Sequence, residues 1–142
     1  MSDLYKNSLI IDNIERNSDN RGKILSLVNT KIQNVSLITC NKNSIRSNHY
    51  HLKDWHYIFV LNGQINYFYK KINSLKIHYS LIKKGENIFT PPMEIHATHF
   101  PTKTTLIVCS KNKRNKTIYE KDTVRVKFIN LNNYQSYINI KK

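Results

Sequence analysis

Five of the six histidines lie in two short segments of the chain. The first segment contains His49, His51 and His56, and the second contains His96 and His99. Side chains two residues apart on a β-strand face the same side, so His49 and His51 would present two imidazoles to one point. Neutral imidazole is a ligand of transition metals and a base near neutral pH. The pattern therefore predicts either a metal site or a proton-transfer site.

Two further histidines would complete this site. His56 follows a short turn at 52–55 and begins the next apolar run, so it can add a third nitrogen. His96 would close the site from another hairpin. A set made only of histidines favours a divalent transition metal such as zinc, nickel or iron. We predict His49, His51, His56 and His96 as metal ligands, with three ligating histidines plus water, or a metal-free site, as open alternatives.

The elements that must position these residues are short β-branched and aromatic runs. Clusters of Asn, Gly, Ser and Lys separate the runs, and Asn62–Gly63 between two of them is a strong hairpin signal. Further turns are predicted at 72–74 and 83–86, and an exposed loop at 111–116. Short, evenly spaced strands predict an all-β sandwich or barrel. The runs are 9–14, 23–28, 35–40, 56–61, 65–69, 75–82, 88–90, 105–109 and 123–129.

A length of 142 residues fits one domain, with a barrel core at about 19–129. The polar tail at about 130–142 could be a short helix, an arm over a partner subunit, or disordered. No run of 18 apolar residues is present, so no transmembrane helix is expected. The N-terminus lacks a basic start followed by an apolar block, so we expect no secretory signal and a cytoplasmic location.

The net charge of +14 invites a nucleic-acid interpretation. The cations are scattered along the chain, however, which disfavours nucleic acid as the partner. A basic surface instead favours small anionic ligands, such as phosphorylated or nucleotide-linked substrates. Cys40 and Cys109 lie in apolar stretches without a Cys-x-x-Cys spacing, so we predict two buried thiols.

The first histidine segment resembles the first motif of the cupin superfamily. That motif reads Gly, five residues, His-x-His, three or four residues, Glu, six residues, Gly. Here His49-Tyr-His51 is followed after four residues by His56 and after six more by Gly63. Asn43 stands in the place of the leading glycine, and His56 in the place of the glutamate ligand.

The second histidine segment resembles the second cupin motif. That motif reads Gly, five residues, Pro-x-Gly, two residues, His, three residues, Asn. Here Gly85 is followed by Pro91-Pro-Met93, then His96, then Phe100, so methionine replaces the second glycine and phenylalanine the asparagine. Gly63 and Gly85 fall where the family needs turns, and positive φ is most accessible to glycine. The resemblance implies an all-β, jelly-roll cupin barrel in a single domain.

Three segments resemble one branch of the cupins, the RmlC-like sugar-nucleotide epimerases of the dTDP-4-dehydrorhamnose 3,5-epimerase kind. Asp19-Asn-Arg21-Gly22 resembles a segment near their start, and Arg46-Ser-Asn-His49-Tyr resembles the stretch that carries their catalytic base. The latter is also similar to capsular-polysaccharide reductase–epimerases and to 3,4-ketoisomerases of dTDP sugars. Tyr119-Glu-Lys-Asp122-Thr resembles a loop that closes these domains.

This resemblance implies an epimerase or isomerase that acts on a keto-deoxy sugar nucleotide in polysaccharide biosynthesis. The chemistry would be proton transfer at a carbon next to a carbonyl, with stabilisation of an enolate. Without a metal, His49 or His51 would act as the base. With a metal, those two would be ligands, and the candidates for the base would be His99 and Tyr57.

Arg21 and Arg46 would hold the diphosphate of the nucleotide sugar through bidentate contacts. Two alternatives stay open at this point. One is a metal-dependent cupin of another reaction, a dioxygenase or a lyase, and the other is a non-enzymatic cupin that binds a small ligand. Because cupin barrels usually pair through exposed strands, we expect a homodimer.

Overall fold

Short strands dominate the computed structural model, which describes residues 7–10 and 16–139. The buried and exposed side chains alternate along several of them, as in β4 below, because successive side chains on a strand point to opposite faces. In chain order the elements are β1 (Leu9–Ile10), β2 (Arg16–Asp19), β3 (Gly22–Leu25), β4 (Asn34–Cys40), β5 (Ile45–His51), β6 (His56–Asn62), β7 (Gln64–Lys71), β8 (His78–Lys83), β9 (Asn87–Thr90), β10 (Glu94–His99), β11 (Thr104–Ser110), α1 (Lys116–Asp122), β12 (Thr123–Arg125) and α2 (Tyr134–Asn139).

Two antiparallel sheets of five strands face each other across an apolar core. Their strand orders are β1-β9-β6-β11-β4 and β12-β5-β10-β7-β8, and β2 and β3 form a separate hairpin. Burying each Ile, Leu, Val or Phe side chain contributes about 1.5–3 kcal/mol, so this core is the main source of stability. The predicted all-β jelly roll is confirmed. The core side chains are Cys40, Ile58, Val60, Ile65, Tyr67, Ile82, Ile88, Phe100, Leu106 and Val108.

The C-terminal segment covers the outer face of the second sheet. Phe68 and Ala97 of that sheet pack with Ile129 and with aromatic side chains of α2. The amide side chain of Asn48 fixes this segment, because it donates to the carbonyl of Ile129 and accepts from its N–H, both at 2.9 Å. Of the three alternatives for the tail, its described part is therefore a short helix packed on the same chain.

Four turn residues have left-handed backbone conformations. Gly63 and Gly85 have φ values of 88° and 87°, and Asn43 and Met93 have values of 64° and 61°. These are the four positions at which the cupin motifs carry glycine. Asparagine tolerates this conformation, whereas methionine is strained in it. The turns are thus retained although two of the glycines are not.

Gly63 and Gly85 offer a matched pair for testing the turns. A Cβ at Gly63 would lie 2.7 Å from the carbonyl oxygen of Lys103 and 2.8 Å from Thr104 Cα, whereas one at Gly85 would meet nothing within 4 Å. We expect Gly85→Ala to lower the free energy of unfolding by about 1–2 kcal/mol, from its positive φ alone. Gly63→Ala adds a steric clash and should lose about 2–4 kcal/mol. Urea denaturation measures both, and equal losses would contradict the predicted clash.

The sequence-based strands differ from the structure mainly where polar residues are buried. The run at 94–99 was not predicted as a strand, yet all six residues of β10 are buried because elements cover both of its faces. The predicted strand at 123–129 ends at Arg125, because the chain then leaves the sheet to bond Asn48. Part of the predicted run 9–14 lies outside the described residues. Both cysteines are free and buried, as predicted.

Candidate functional site

A bulge in β5 determines which side chains face the barrel interior. Ser47 and Asn48 have φ values of 74° and 58°, and the pairing with β10 shifts so that His96 opposes His49 while Ala97 opposes Ser47. One extra residue reverses the inward–outward alternation of a strand. Arg46 therefore lines the interior cavity, although on a regular strand it would face the side opposite to His49.

The four histidines predicted as a cluster meet inside the barrel. The ring centroids of His49 and His51 are 4.6 Å apart, those of His49 and His96 are 4.8 Å apart, and those of His51 and His56 are 4.8 Å apart. All four side chains are buried. Two adjacent strands of the second sheet, β5 and β10, carry three of them, and β6 of the opposite sheet carries His56.

Three of these histidines are arranged for shared ligation, and the fourth has a different partner. Ligand nitrogens of His49, His51 and His96 all lie within 4.8 Å of one another. His56 is outside this group, and its Nε2 lies 3.1 Å from Oδ2 of Asp54. A three-histidine set therefore fits the geometry better than the predicted set of four.

His51 is oriented by groups from the segment that ends α1. Its Nδ1 lies 3.3 Å from Thr123 Oγ1 and 3.7 Å from Asp122 Oδ2. Asp122 is itself fixed, because its carboxylate accepts the backbone N–H groups of Lys53 and Asp54, both at 2.9 Å. Nε2 of His51 is buried and has no hydrogen-bond partner within residues 7–10 and 16–139. Because the Thr123 hydroxyl donates to the carbonyl of Tyr119 at 2.6 Å, it accepts the Nδ1 proton of His51, and the Nε2 lone pair is left free in the cluster.

Burial keeps the histidines of this group neutral. Desolvation, with a smaller effect from the charge of His56, lowers the pKa of His49 to about 4. The same causes lower the pKa of His51 to about 3, and burial also places the pKa of His96 well below its usual value. Neutral imidazoles can accept a proton or bind a metal at physiological pH.

His49, His56 and His96 line a cavity of about 110 Å³, whereas His51 lies beside that lining, with its ring centroid 4.6 Å from that of His49. Arg46, Arg114 and Tyr119 line the cavity together with His49 and with apolar side chains of the core. The ring of Tyr119 lies 5.4 Å from that of His51, and the guanidinium carbon of Arg114 lies 4.6 Å from the centre of the Tyr119 ring. The cavity thus combines neutral imidazoles with two cations, which suits an anionic ligand.

Comparison with known proteins gives structural matches only. No family model matches the chain, and no curated protein matches its sequence. The QdtA 3,4-ketoisomerase from Thermoanaerobacterium thermosaccharolyticum, a double mutant in complex with TDP, matches with a TM-score of 0.69 and 21% identity over 96% of this chain and 95% of that chain. The chain has the cupin fold.

Two further cupin-fold matches have similar scores. A histidine-to-asparagine mutant of QdtA in complex with TDP-4-keto-6-deoxyglucose matches with a TM-score of 0.69 and 19% identity over 96% of this chain and 95% of that chain. WlaRA, a TDP-fucose-3,4-ketoisomerase from Campylobacter jejuni, matches with a TM-score of 0.69 and 15% identity over 96% of both chains. The matches thus extend well beyond the two histidine motifs, over nearly the whole chain.

Tyr57 and His99, the alternative bases, face away from the interior of this cupin barrel. Tyr57 follows His56 directly, and its ring packs 5.0 Å from that of Phe89. His99 lies three residues after His96, stacks 3.8 Å from the ring of Tyr134, and contacts Asn66 at 3.1 Å. Because strand side chains alternate, residues one or three positions from an inward histidine point outward. Neither is placed to act on a ligand in the histidine cavity.

Arg21, the other predicted diphosphate ligand, also lies apart from the cavity. It occupies the turn between β2 and β3, its side chain is 86% exposed, and its guanidinium pairs with Asp19 at 2.6 Å. By contrast, Arg114, Tyr119 and Asp54 lie at the site, although they were not predicted from the sequence as site residues. The only sequence signal for any of them was the resemblance of 119–123 to a closing loop.

Proposed function

We propose that this protein is an isomerase or epimerase that transfers a proton at the carbon next to the carbonyl of a keto-deoxy sugar nucleotide. The proposal is carried by the state of His51: its Nε2 is buried without a partner among the described residues, while Thr123 Oγ1 binds its Nδ1 and Asp122 lies 3.7 Å from that nitrogen. The two arginines of the cavity suit an anionic substrate. The 3,4-ketoisomerases among the structural matches, one of them in complex with a 4-keto sugar nucleotide, support the same class of chemistry.

In this mechanism His51 is the general base. Nε2 removes the proton from the carbon beside the ketone, and the electron pair of that C–H bond forms an enediolate. The negative charge of the enediolate favours the imidazolium that has just formed, which offsets the low pKa of His51. Arg46, which lines the cavity with His49 and His96, stabilises the developing oxyanion. In an isomerisation the hydroxyl on the deprotonated carbon passes its proton to the former carbonyl oxygen, and His51 returns its own proton to the former carbonyl carbon. In an epimerisation a second acid, on the face opposite to His51, protonates the original carbon, and His51 later gives up its proton to solvent.

A metal-dependent reaction is the second candidate, and one observation favours it. The unpartnered Nε2 of His51 and the nitrogens of His49 and His96 form a group of neutral donors within 4.8 Å of one another. A divalent transition metal, with zinc, nickel and iron favoured by these ligands, would polarise a carbonyl oxygen as a Lewis acid. His51 cannot be both the general base and a metal ligand through Nε2, because a nitrogen that binds a metal has no free lone pair for a proton.

Zinc titration of the metal-free protein separates a three-histidine from a four-histidine site. We expect His51→Ala to raise the dissociation constant for zinc at least about tenfold, because it removes a ligand of the group. The matched His56→Ala variant should stay within about threefold of the wild type, since His56 pairs with Asp54 instead. Isothermal titration calorimetry measures both constants. An equal loss of zinc affinity in both variants would support the four-histidine site instead. A wild type that binds no zinc would rule out the metal-dependent reaction.

We further propose a cytoplasmic homodimer. Val35 and Leu37 of β4 are 61% and 69% exposed, and Leu61 of β6 is 45% exposed on the same outer face of the first sheet. The corresponding face of the second sheet is already covered by the C-terminal segment. Neither helix in the described part of the chain is long and apolar enough to cross a membrane. Sedimentation equilibrium of the wild type and of Leu37→Glu tests the dimer, and cell fractionation tests the location.

A further inference from the structure

The segment from the end of β11 to the first residue of α1 concentrates positive charge. Residues 111–116 read Lys-Asn-Lys-Arg-Asn-Lys, which places four cations in six residues without an acidic side chain. None of the four forms an ion pair with another described residue. Like charges this close repel one another, and a bound anion would relieve that repulsion. We call this segment the basic loop.

Hydrogen bonds hold both ends of the basic loop beside the histidine cavity. The N–H of Asn112 donates to Asp54 Oδ1 at 3.0 Å, and the other oxygen of Asp54 contacts His56. The N–H of Lys111 donates to the carbonyl of Trp55 at 3.2 Å. At the other end, the side chain of Asn115 caps α1 by accepting the N–H of Thr117 at 3.0 Å. The cations between these anchors are therefore held at the edge of the site.

Arg114 connects the basic loop to the cavity. It lines the cavity with His49 and His56, and its guanidinium lies over the ring of Tyr119, which in turn faces His51. One aromatic ring thus separates the basic loop from the histidine proposed as the base. In a nucleotide sugar the diphosphate is bonded directly to the sugar, so the group that binds it must lie next to the sugar site.

We propose that the basic loop, with Arg114 as its central contact, binds the diphosphate of a nucleoside diphosphate or of a sugar attached to one. The identity of the sugar rests on the proposed function, whereas diphosphate binding does not. Exposed Arg21, paired with Asp19 and absent from the cavity lining, is assigned no part in it. Removing charge-assisted contacts from Lys113 and Arg114 should weaken binding about 10- to 100-fold.

Calorimetric titration with TDP, inorganic pyrophosphate and thymidine tests this proposal. The variant is K113Q/R114Q, and the matched control is K83Q/K84Q, which removes the same charge from an exposed turn at the other end of β6. We expect K113Q/R114Q to weaken TDP and pyrophosphate about 10- to 100-fold, and K83Q/K84Q to change them less than about twofold. Thymidine should bind equally to all three proteins. Unchanged thermal unfolding verifies that the variants are folded.

Three results would overturn the proposal. They are a wild type that binds neither TDP nor pyrophosphate, equal weakening in both double variants, and tighter binding of a single-stranded oligonucleotide that is lost in K113Q/R114Q. The last would assign the basic loop to nucleic acid. Turnover of a 4-keto sugar nucleotide is scored separately. If the wild type binds TDP through the basic loop but does not turn over any substrate, only the proposed function is refuted. If the wild type turns over substrate and K113Q/R114Q binds TDP as tightly as the wild type, only this inference is refuted.

Discussion

Replacing His51 with asparagine is expected to lower the turnover number about 10²- to 10⁴-fold, because it removes the proposed general base. Asparagine is close to histidine in shape and polarity but cannot accept a proton at this pH. Steady-state kinetics with TDP-4-keto-6-deoxyglucose would measure the loss. The Michaelis constant should change much less, since the proposed diphosphate contacts are made by the basic loop.

His78→Asn is the matched control for this substitution. His78 lies on β8 outside the cavity, where its ring stacks 5.0 Å from that of Tyr69, so we expect less than about a twofold change in the turnover number. His49→Asn distinguishes the two histidines of the predicted pair. Full activity in His51→Asn with a large loss in His49→Asn would assign the base to His49 and contradict the role inferred from the Thr123–His51 hydrogen bond.

The metal-free protein is expected to lose stability steeply below about pH 6.5. An unfolded histidine titrates near 6.5, whereas folding lowers the pKa of His49 to about 4 and that of His51 to about 3. Between these values the unfolded chain binds protons that the folded chain does not. The free energy of unfolding therefore falls by about 1.4 kcal/mol per pH unit for each histidine.

Above about pH 6.5 these two histidines contribute nothing to the pH dependence of stability, since they are deprotonated in both the folded and the unfolded chain. Between about pH 6.5 and 4.5 they should remove on the order of 5 kcal/mol, comparable with the whole stability of a small domain. Urea denaturation in the presence of a chelator measures the effect. His49→Asn should reduce the slope of unfolding free energy against pH by about 1.4 kcal/mol per pH unit. This difference distinguishes the effect of the histidine from that of titrating carboxylates. Identical slopes in the wild type and in His49→Asn would contradict the buried neutral state.

The parts of the site that depend on local geometry could be predicted from the sequence. His49 and His51 converge because strand side chains repeat every two residues, and Gly63 and Gly85 mark turns because they have positive φ. The same alternation could have removed Tyr57 and His99 from the candidates for the base. Their odd spacing from His56 and His96 places them on the outer faces.

The remaining features depend on tertiary structure. Arg46 faces inward only because of the bulge at Ser47 and Asn48; serine does not signal left-handed backbone, and asparagine signals it less strongly than glycine. Arg114 reaches the cavity because the loop before it is hydrogen-bonded to Asp54 and Trp55, and the ring of Tyr119 lies against that of His51, these partners all being more than 50 residues away in the sequence. No periodic pattern in the chain encodes these contacts.

Solvent deuterium incorporation tests the proposed proton transfer most directly. The wild type would be incubated with TDP-4-keto-6-deoxyglucose in deuterated water, and the sugar carbons would be followed by NMR. We predict deuterium at the carbons beside the carbonyl, at a rate well above that of buffer alone and lowered about 10²- to 10⁴-fold by His51→Asn. No deuterium uptake at these carbons with the folded wild type, across several 4-keto sugar nucleotides, would contradict the proposed function.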